Sequence, residues 1–166
     1  MLPVIFNKQS YSFDKGNIYG LKPEHSDFLI TVALSSPDVF FFGSPSWFDS
    51  NLLGLDYLKY IMNMWKSNKE LDDIIQYWEL SAIIDMPIRS YSLGEKQCLI
   101  AALYQISDAQ IIVIDNITVG MDEYFQKKLF DMMVLLKEES KTIIVSCQYE
   151  DKMRSVSDVF IEDEAL

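Results

Sequence analysis

The stretch from Ile111 to Glu162 switches repeatedly between β-type and α-type patterning, and this restricts the fold more than any other feature of the chain. Ile111–Asp115 is an apolar run ending in an acid, Asp122 to Glu139 carries apolar residues at helical spacing, and Thr142–Cys147 is again apolar and β-branched. A short helical pattern from Tyr149 to Val156 then leads to Val159–Glu162. Strands separated by helices run parallel, because the helix is the crossover that returns the chain to the same end of the sheet. The sequence therefore predicts an α/β protein, a parallel sheet with flanking helices.

The first third predicts hairpin strands at Leu2–Phe6, Tyr11–Phe13 and Asn17–Leu21, with the turn signal Asp14-Lys15-Gly16 before the last. The run from Phe28 to Leu34 fits a short helix or a buried strand equally well, and Val39 to Phe42 reads as a buried strand. The middle is helical. Leu52, Leu55, Leu58, Ile61, Met62 and Trp65 recur at three and four spacing between Asn51 and Lys66, as do Leu71, Ile74, Ile75 and Trp78 between Lys69 and Leu80. A helix from Glu95 to Ile106 is apolar on nearly every side and should be buried. With 166 residues, 49% of them hydrophobic, the chain is expected to form one domain: a sheet core from 1–48 and 107–166, and a helical subdomain from 49–106.

Lys and Arg total 14 against 25 Asp and Glu, a formal charge of −11, with acids gathered at Glu162, Asp163 and Glu164. Nucleic acid is excluded as a partner, since phosphate backbones need clustered cations. Cys98 and Cys147 have neither CxxC spacing nor a histidine cluster beside them, so no disulfide or zinc site is expected. No apolar run is long enough to span a bilayer and no leader pattern opens the chain. A cytoplasmic protein, reaching the inner face of the membrane only through a partner, is expected.

Three collinear segments carry chemistry: Tyr91-Ser-Leu-Gly-Glu-Lys-Gln97, Ile111-Ile-Val-Ile-Asp115 and Val119-Gly-Met-Asp122. Alone, the first is a common helix entry and the second a common strand end. Together, in this order and spacing, they resemble the ATP-binding (nucleotide-binding) domains of ABC transporters. In that resemblance Ser92, Gly94 and Gln97 stand at signature-loop positions, Asp115 at the Walker B acid and Asp122 in the D-loop. Gln148 falls where the family has its switch histidine, and Ser46 near its Q-loop glutamine. The match covers the C-terminal half, and Tyr11 to Leu21 resembles the segment that leads into the family's phosphate loop. Tyr11 and Phe13 could stack a base but, alternating in a strand, read first as core.

The departures all concern the chain's own ATP site. None of the six glycines is followed by lysine, so the phosphate-cradling Walker A pattern is missing, and its place reads Leu21-Lys-Pro-Glu-His-Ser-Asp-Phe28. Asn116 stands at the position of the catalytic glutamate and cannot accept a proton from water; Gln148 cannot become cationic. The resemblance thus implies a truncated, degenerate member with a reduced P-loop NTPase-like sheet, no catalytic or metal residue of its own, and no tightly bound cofactor. Asp115, Asn116, Asp122 and Gln148 are then degenerate motif positions. Ser92, Gly94 and Gln97 would face ATP and magnesium shared with a partner in trans. The implied partners are an active ABC ATPase subunit or a transporter membrane subunit; separately, a sheet edge exposed by the lost strands could pair with a second copy of the chain. The alternative is a nucleotide-independent protein that docks on a membrane subunit through Trp47, Phe48, Trp65 and Trp78. A hydrolase using His25, Asp27, Asp115 or Asp122 around a metal is disfavoured, His25 reading as a solvated loop residue.

Overall fold

The computed structural model describes residues 1–162, so Asp163 and Glu164 of the acidic cluster lie outside it. The chain divides into two compact units. The first comprises Met1–Phe41, Ala109–Asn116 and the chain from Phe130 onward; the second comprises Phe42–Asp108 and Ile117–Leu129.

In the first unit β1 (Leu2–Phe6) and β2 (Gln9–Phe13) form an antiparallel hairpin, with Leu2 opposite Phe13 and Phe6 opposite Gln9. The two-residue connection Asn7-Lys8 has φ of 46° and 68°, the left-handed geometry whose twist suits such a hairpin. Five other strands make the parallel sheet: β3 (Ile18–Leu21), β4 (Val39–Phe41), β5 (Ile111–Asp115), β6 (Thr142–Ser146) and β7 (Val159–Phe160), in the order β4-β5-β6-β3-β7. The predicted parallel sheet is observed. Asn17–Leu21, read as a hairpin strand, is corrected: β3 leaves the hairpin and pairs between β6 and β7. Its four residues are all buried, as a central parallel strand requires, and Gly16 N–H donates to Thr142 Oγ1 at 3.2 Å to hold the strand's start.

The undecided run resolves as a helix, α1 (Ser26–Leu34), which buries Phe28, Leu29 and Val32 among Leu2, Val4, Phe13, Tyr19 and Leu21. Edge-on rings lock this core: Phe13 and Tyr19 centroids stand 4.9 Å apart, as do those of Tyr11 and Phe28. Tyr11 and Phe13 are therefore packed rather than presented to a base. The helix α6 (Glu150–Val156) returns the chain from β6 to β7.

The second unit is built around α4 (Leu93–Ser107), where Leu99, Ala101, Ala102, Leu103 and Ile106 are fully buried. Against it pack α2 (Gly54–Trp65) and α3 (Leu71–Tyr77), each offering one apolar face. Trp78 is 1% exposed and its Nε1–H donates to Gln105 Oε1 at 2.9 Å. Phe48 is buried too, its ring centroid 4.7 Å from that of Phe42 at a 35° tilt, while Trp47 is 54% exposed. Trp78 and Phe48 thus serve the core and not a docking surface, a correction that follows from their area: rings of this size repay burial most. The helix α5 (Glu123–Glu138) starts in this unit. Cys98 and Cys147 are buried and not joined in a disulfide. Among the described residues no helix is long and apolar enough to cross a membrane.

Candidate functional site

The motif residues fall into two groups, one in each unit. In the second unit, Ser92, Gly94, Gln97 and Asp122 come together at the start of α4. Ser92 is the N-cap. Its Oγ accepts from Glu95 N–H at 3.2 Å, and its own N–H donates to Glu95 Oε2 at 2.7 Å, closing a reciprocal capping box. A Cβ on Gly94 would stand 2.8 Å from the Gly120 carbonyl oxygen, so only glycine allows the helix to approach the turn so closely. Gly120 has φ of +84°, a conformation that favours glycine. Gln97, 5% exposed, donates Nε2–H to Val119 O at 3.2 Å, tying the same turn to α4. Asp122 Oδ1 accepts from Phe125 N–H at 2.9 Å and starts α5.

Ser92, Gly94, Gln97 and Asp122 therefore each have a structural partner. The spacing Ser92-x-x-Glu95 was the available sequence signal for the cap, and Glu95 is the member of the site that motif matching missed. Beside this entry lies a cavity of about 550 Å³ whose walls include Leu80, Ser92, Gly94, Cys98, Met121 and Asp122. Burial pushes the Cys98 thiol up to about 12, with Asp122 adding to the shift. Burial likewise pushes the Tyr91 phenol up to about 12 while its hydroxyl donates to Ile83 O at 2.7 Å. Glu79 is held below the usual carboxylate range by hydrogen bonds from Lys128 and Tyr124.

In the first unit, the other positions gather at the C-terminal ends of β5 and β6. Ser146 Oγ donates to Asp115 Oδ1 at 2.7 Å and accepts from Asn116 N–H at 3.0 Å. Asp115 is thus engaged by its neighbouring strand. Asn116 has φ of 41°, tolerable for asparagine, and its Oδ1 is buried with no hydrogen-bond partner among the described residues. Gln148, two residues beyond β6, is exposed. β3 passes into α1 through Lys22 and a single 3-10 turn, Pro23–His25. Pro23 has no N–H to offer, and His25 N–H is directed at Lys22 O at 3.4 Å. His25 is 8% exposed, and its Nδ1 has no partner among the described residues. Its reading as a solvated loop residue is corrected: the ordered turn carries the ring inward. Ser46, in the second unit, lies on another 3-10 turn, Pro45–Trp47, bonded to Ser44. Among the described residues no group of three or more His, Cys, Asp or Glu could hold a metal ion.

The architecture matches that of ABC ATPase nucleotide-binding domains. The ATP-binding subunit of an ABC transporter superposes with a TM-score of 0.79 over 96% of this chain and 82% of its own, at 14% identity. The ADP form of an ATP-binding cassette of an ABC transporter gives 0.68 over 96% and 83%, also at 14% identity. No protein-family model matches the chain. Among curated proteins, the O-antigen export system ATP-binding protein RfbB of Myxococcus xanthus is 39% identical over 45% of this chain and 17% of its own length. The polysialic acid transport ATP-binding protein KpsT of Escherichia coli is 29% identical over 72% and 56%. The teichoic acids export ATP-binding protein TagH of Enterococcus faecalis is 32% identical over 57% and 22%. The chain therefore spans between about a sixth and just over half of these relatives. Homologues and structural neighbours together support the ABC transporter ATP-binding domain family.

Proposed function

We propose that this chain is a non-catalytic, cytoplasmic member of that family that works beside an active ATP-binding subunit in an export system. The observation that carries this reading is the β3–α1 connection. Where a nucleotide-binding domain needs a glycine-rich loop of free N–H groups around phosphate, this chain has the turn Pro23–His25, with Glu24 adding negative charge. Pro23 offers no N–H and Glu24 brings a like charge, both of which disfavour phosphate at that turn. Asp115 places one oxygen on Ser146, and Asn116 beside it cannot act as a base. The cargo class comes from the relatives: O-antigen, polysialic acid and teichoic acids are named in their export or transport functions, which favours a carbohydrate polymer.

A second reading, that Ser92, Gly94 and Gln97 complete a partner's ATP site in trans, is favoured by Ser92 and Gly94 opening on the cavity beside α4. It must contend with Glu95, whose carboxylate already takes the Ser92 N–H. Co-expression with the active ATP-binding and membrane subunits of an exporter separates these roles. The chain should co-purify and change the complex's turnover, Asp115→Asn should leave that turnover unchanged, and Ser92→Ala should reduce it only if the trans role holds. ATP hydrolysis by the isolated chain that disappears in Asp115→Asn would overturn the non-catalytic reading.

A further inference from the structure

The cavity beside the α4 entry carries more negative charge than its surroundings neutralise. Glu79, Glu95 and Asp122 all line it. Glu79 has a cation: Lys128 Nζ lies 2.8 Å from Glu79 Oε1 and 2.6 Å from Tyr77 O. That ammonium also sits over the Tyr124 and Phe125 rings, 4.6 and 5.5 Å from their centroids. Glu95 and Asp122 each spend one oxygen on a backbone N–H, and neither has a cationic partner among the described residues.

The walls between these carboxylates are apolar, with Leu80, Leu93, Met121 and Phe125 facing the space. Cys98 also opens on it: the thiol is 3% exposed and has no hydrogen-bond partner among the described residues. Its raised pKa registers the local field, since Asp122, Glu79 and Glu95 add to the effect of burial and only Lys128 opposes it.

We propose that this cavity receives an arginine side chain of a partner protein, its guanidinium between Glu95 and Asp122 and its stem against Leu93, Met121 and Phe125. The chemistry selects this occupant. A guanidinium pairs with carboxylates through directed N–H donors, is weakly hydrated, and lies readily on an aromatic face. Lys128 shows within the molecule that the same rim holds a cation between a carboxylate and aromatic rings. A phosphate would instead meet three carboxylates. The inference holds whether or not the chain hydrolyses ATP, so those two can fail separately, and it excludes the reading in which Ser92 and Gly94 meet a partner's phosphates in this cavity.

The test is an NMR titration of the full isotope-labelled chain with N-acetyl-arginine amide, with the uncharged citrulline analogue and inorganic phosphate as comparisons. The arginine probe should give saturable shifts at the amides of Gly94, Gly120 and Asp122, and the other two should not. The double variant Glu95→Gln, Asp122→Asn should weaken arginine binding about tenfold, the effect of losing two partly exposed ion pairs. Both substitutions retain an oxygen acceptor for the capped N–H, and the comparison of arginine with citrulline on the unaltered chain does not depend on them. Equal responses to arginine and citrulline, no saturable shift with arginine, or unchanged binding by the double variant would overturn the proposal. Phosphate shifting the same amides would overturn it in favour of a nucleotide site.

Discussion

At the entry to α4 each motif residue is matched to a partner: Ser92 to Glu95, Gly94 to the Gly120 carbonyl, Gln97 to Val119 O and Asp122 to Phe125 N–H. At the C-terminal ends of β3 and β5, polar atoms are left over instead, with His25 Nδ1 and Asn116 Oδ1 buried and without a hydrogen-bond partner among the described residues. An unmade bond on a buried polar atom costs stability and is ordinarily kept for a reason. The contrast teaches that Ser92, Gly94, Gln97 and Asp122 have structural reasons to be present, whether or not nucleotide is bound there. The strand ends hold a smaller side-chain network, in which Ser146 joins Asp115 and the Asn116 N–H.

The largest effect should come from filling the space between α4 and the turn. Gly94→Val places a branched side chain against the backbone oxygen of Gly120 and should lower the unfolding free energy by about 2–3 kcal/mol in urea titration. A loss below about 0.5 kcal/mol would mean that the turn yields freely and the close approach is not required. Gly120→Ala should cost about 1–2 kcal/mol, because its φ of +84° penalises any Cβ. Ser92→Ala should cost about 1 kcal/mol as a lost cap, with Ser92→Asp recovering most of it; failure of that recovery would point to a role for the hydroxyl other than capping.

The opposite ends of the strands sharpen the contrast through pH. Asp158 accepts from Ile18 N–H at 2.8 Å and pairs with Lys137. Partial burial pushes its carboxyl up, but the Ile18 and Lys137 contacts outweigh this and hold it below the usual value. A carboxyl depressed in the folded state contributes stability above its unfolded pKa and loses it as pH falls through the folded one. The gap in stability between the natural chain and Asp158→Asn should therefore be widest at neutral pH and close in acid; a constant gap would contradict the assignment. The smallest effect is expected at Asn116→Gly, where glycine suits the φ of 41° and removes an unbonded buried oxygen, so stability should hold or rise by up to about 1 kcal/mol.

Much of the architecture was legible from the sequence. The alternation after Ile111 predicts the parallel sheet because crossover helices leave few other options, and the apolar helix from Glu95 to Ile106 declares its own burial. The place of β3 was not legible, since a short buried strand carries no local mark of which strand it will pair with. The site was half legible. Ser92 and Glu95 sit at capping-box spacing, but the contact of Gly94 with Gly120 joins residues far apart in sequence and appears only in the fold. Nothing local to Lys22-Pro-Glu-His25 signals that His25 turns inward, because its burial depends on packing.

The most direct measurement is calorimetric titration of the isolated chain with ATP and magnesium, with phosphate release followed in the same buffer. A non-catalytic subunit whose β3–α1 turn does not cradle phosphate should give dilution heat alone and no release. A saturable isotherm accompanied by turnover would contradict it.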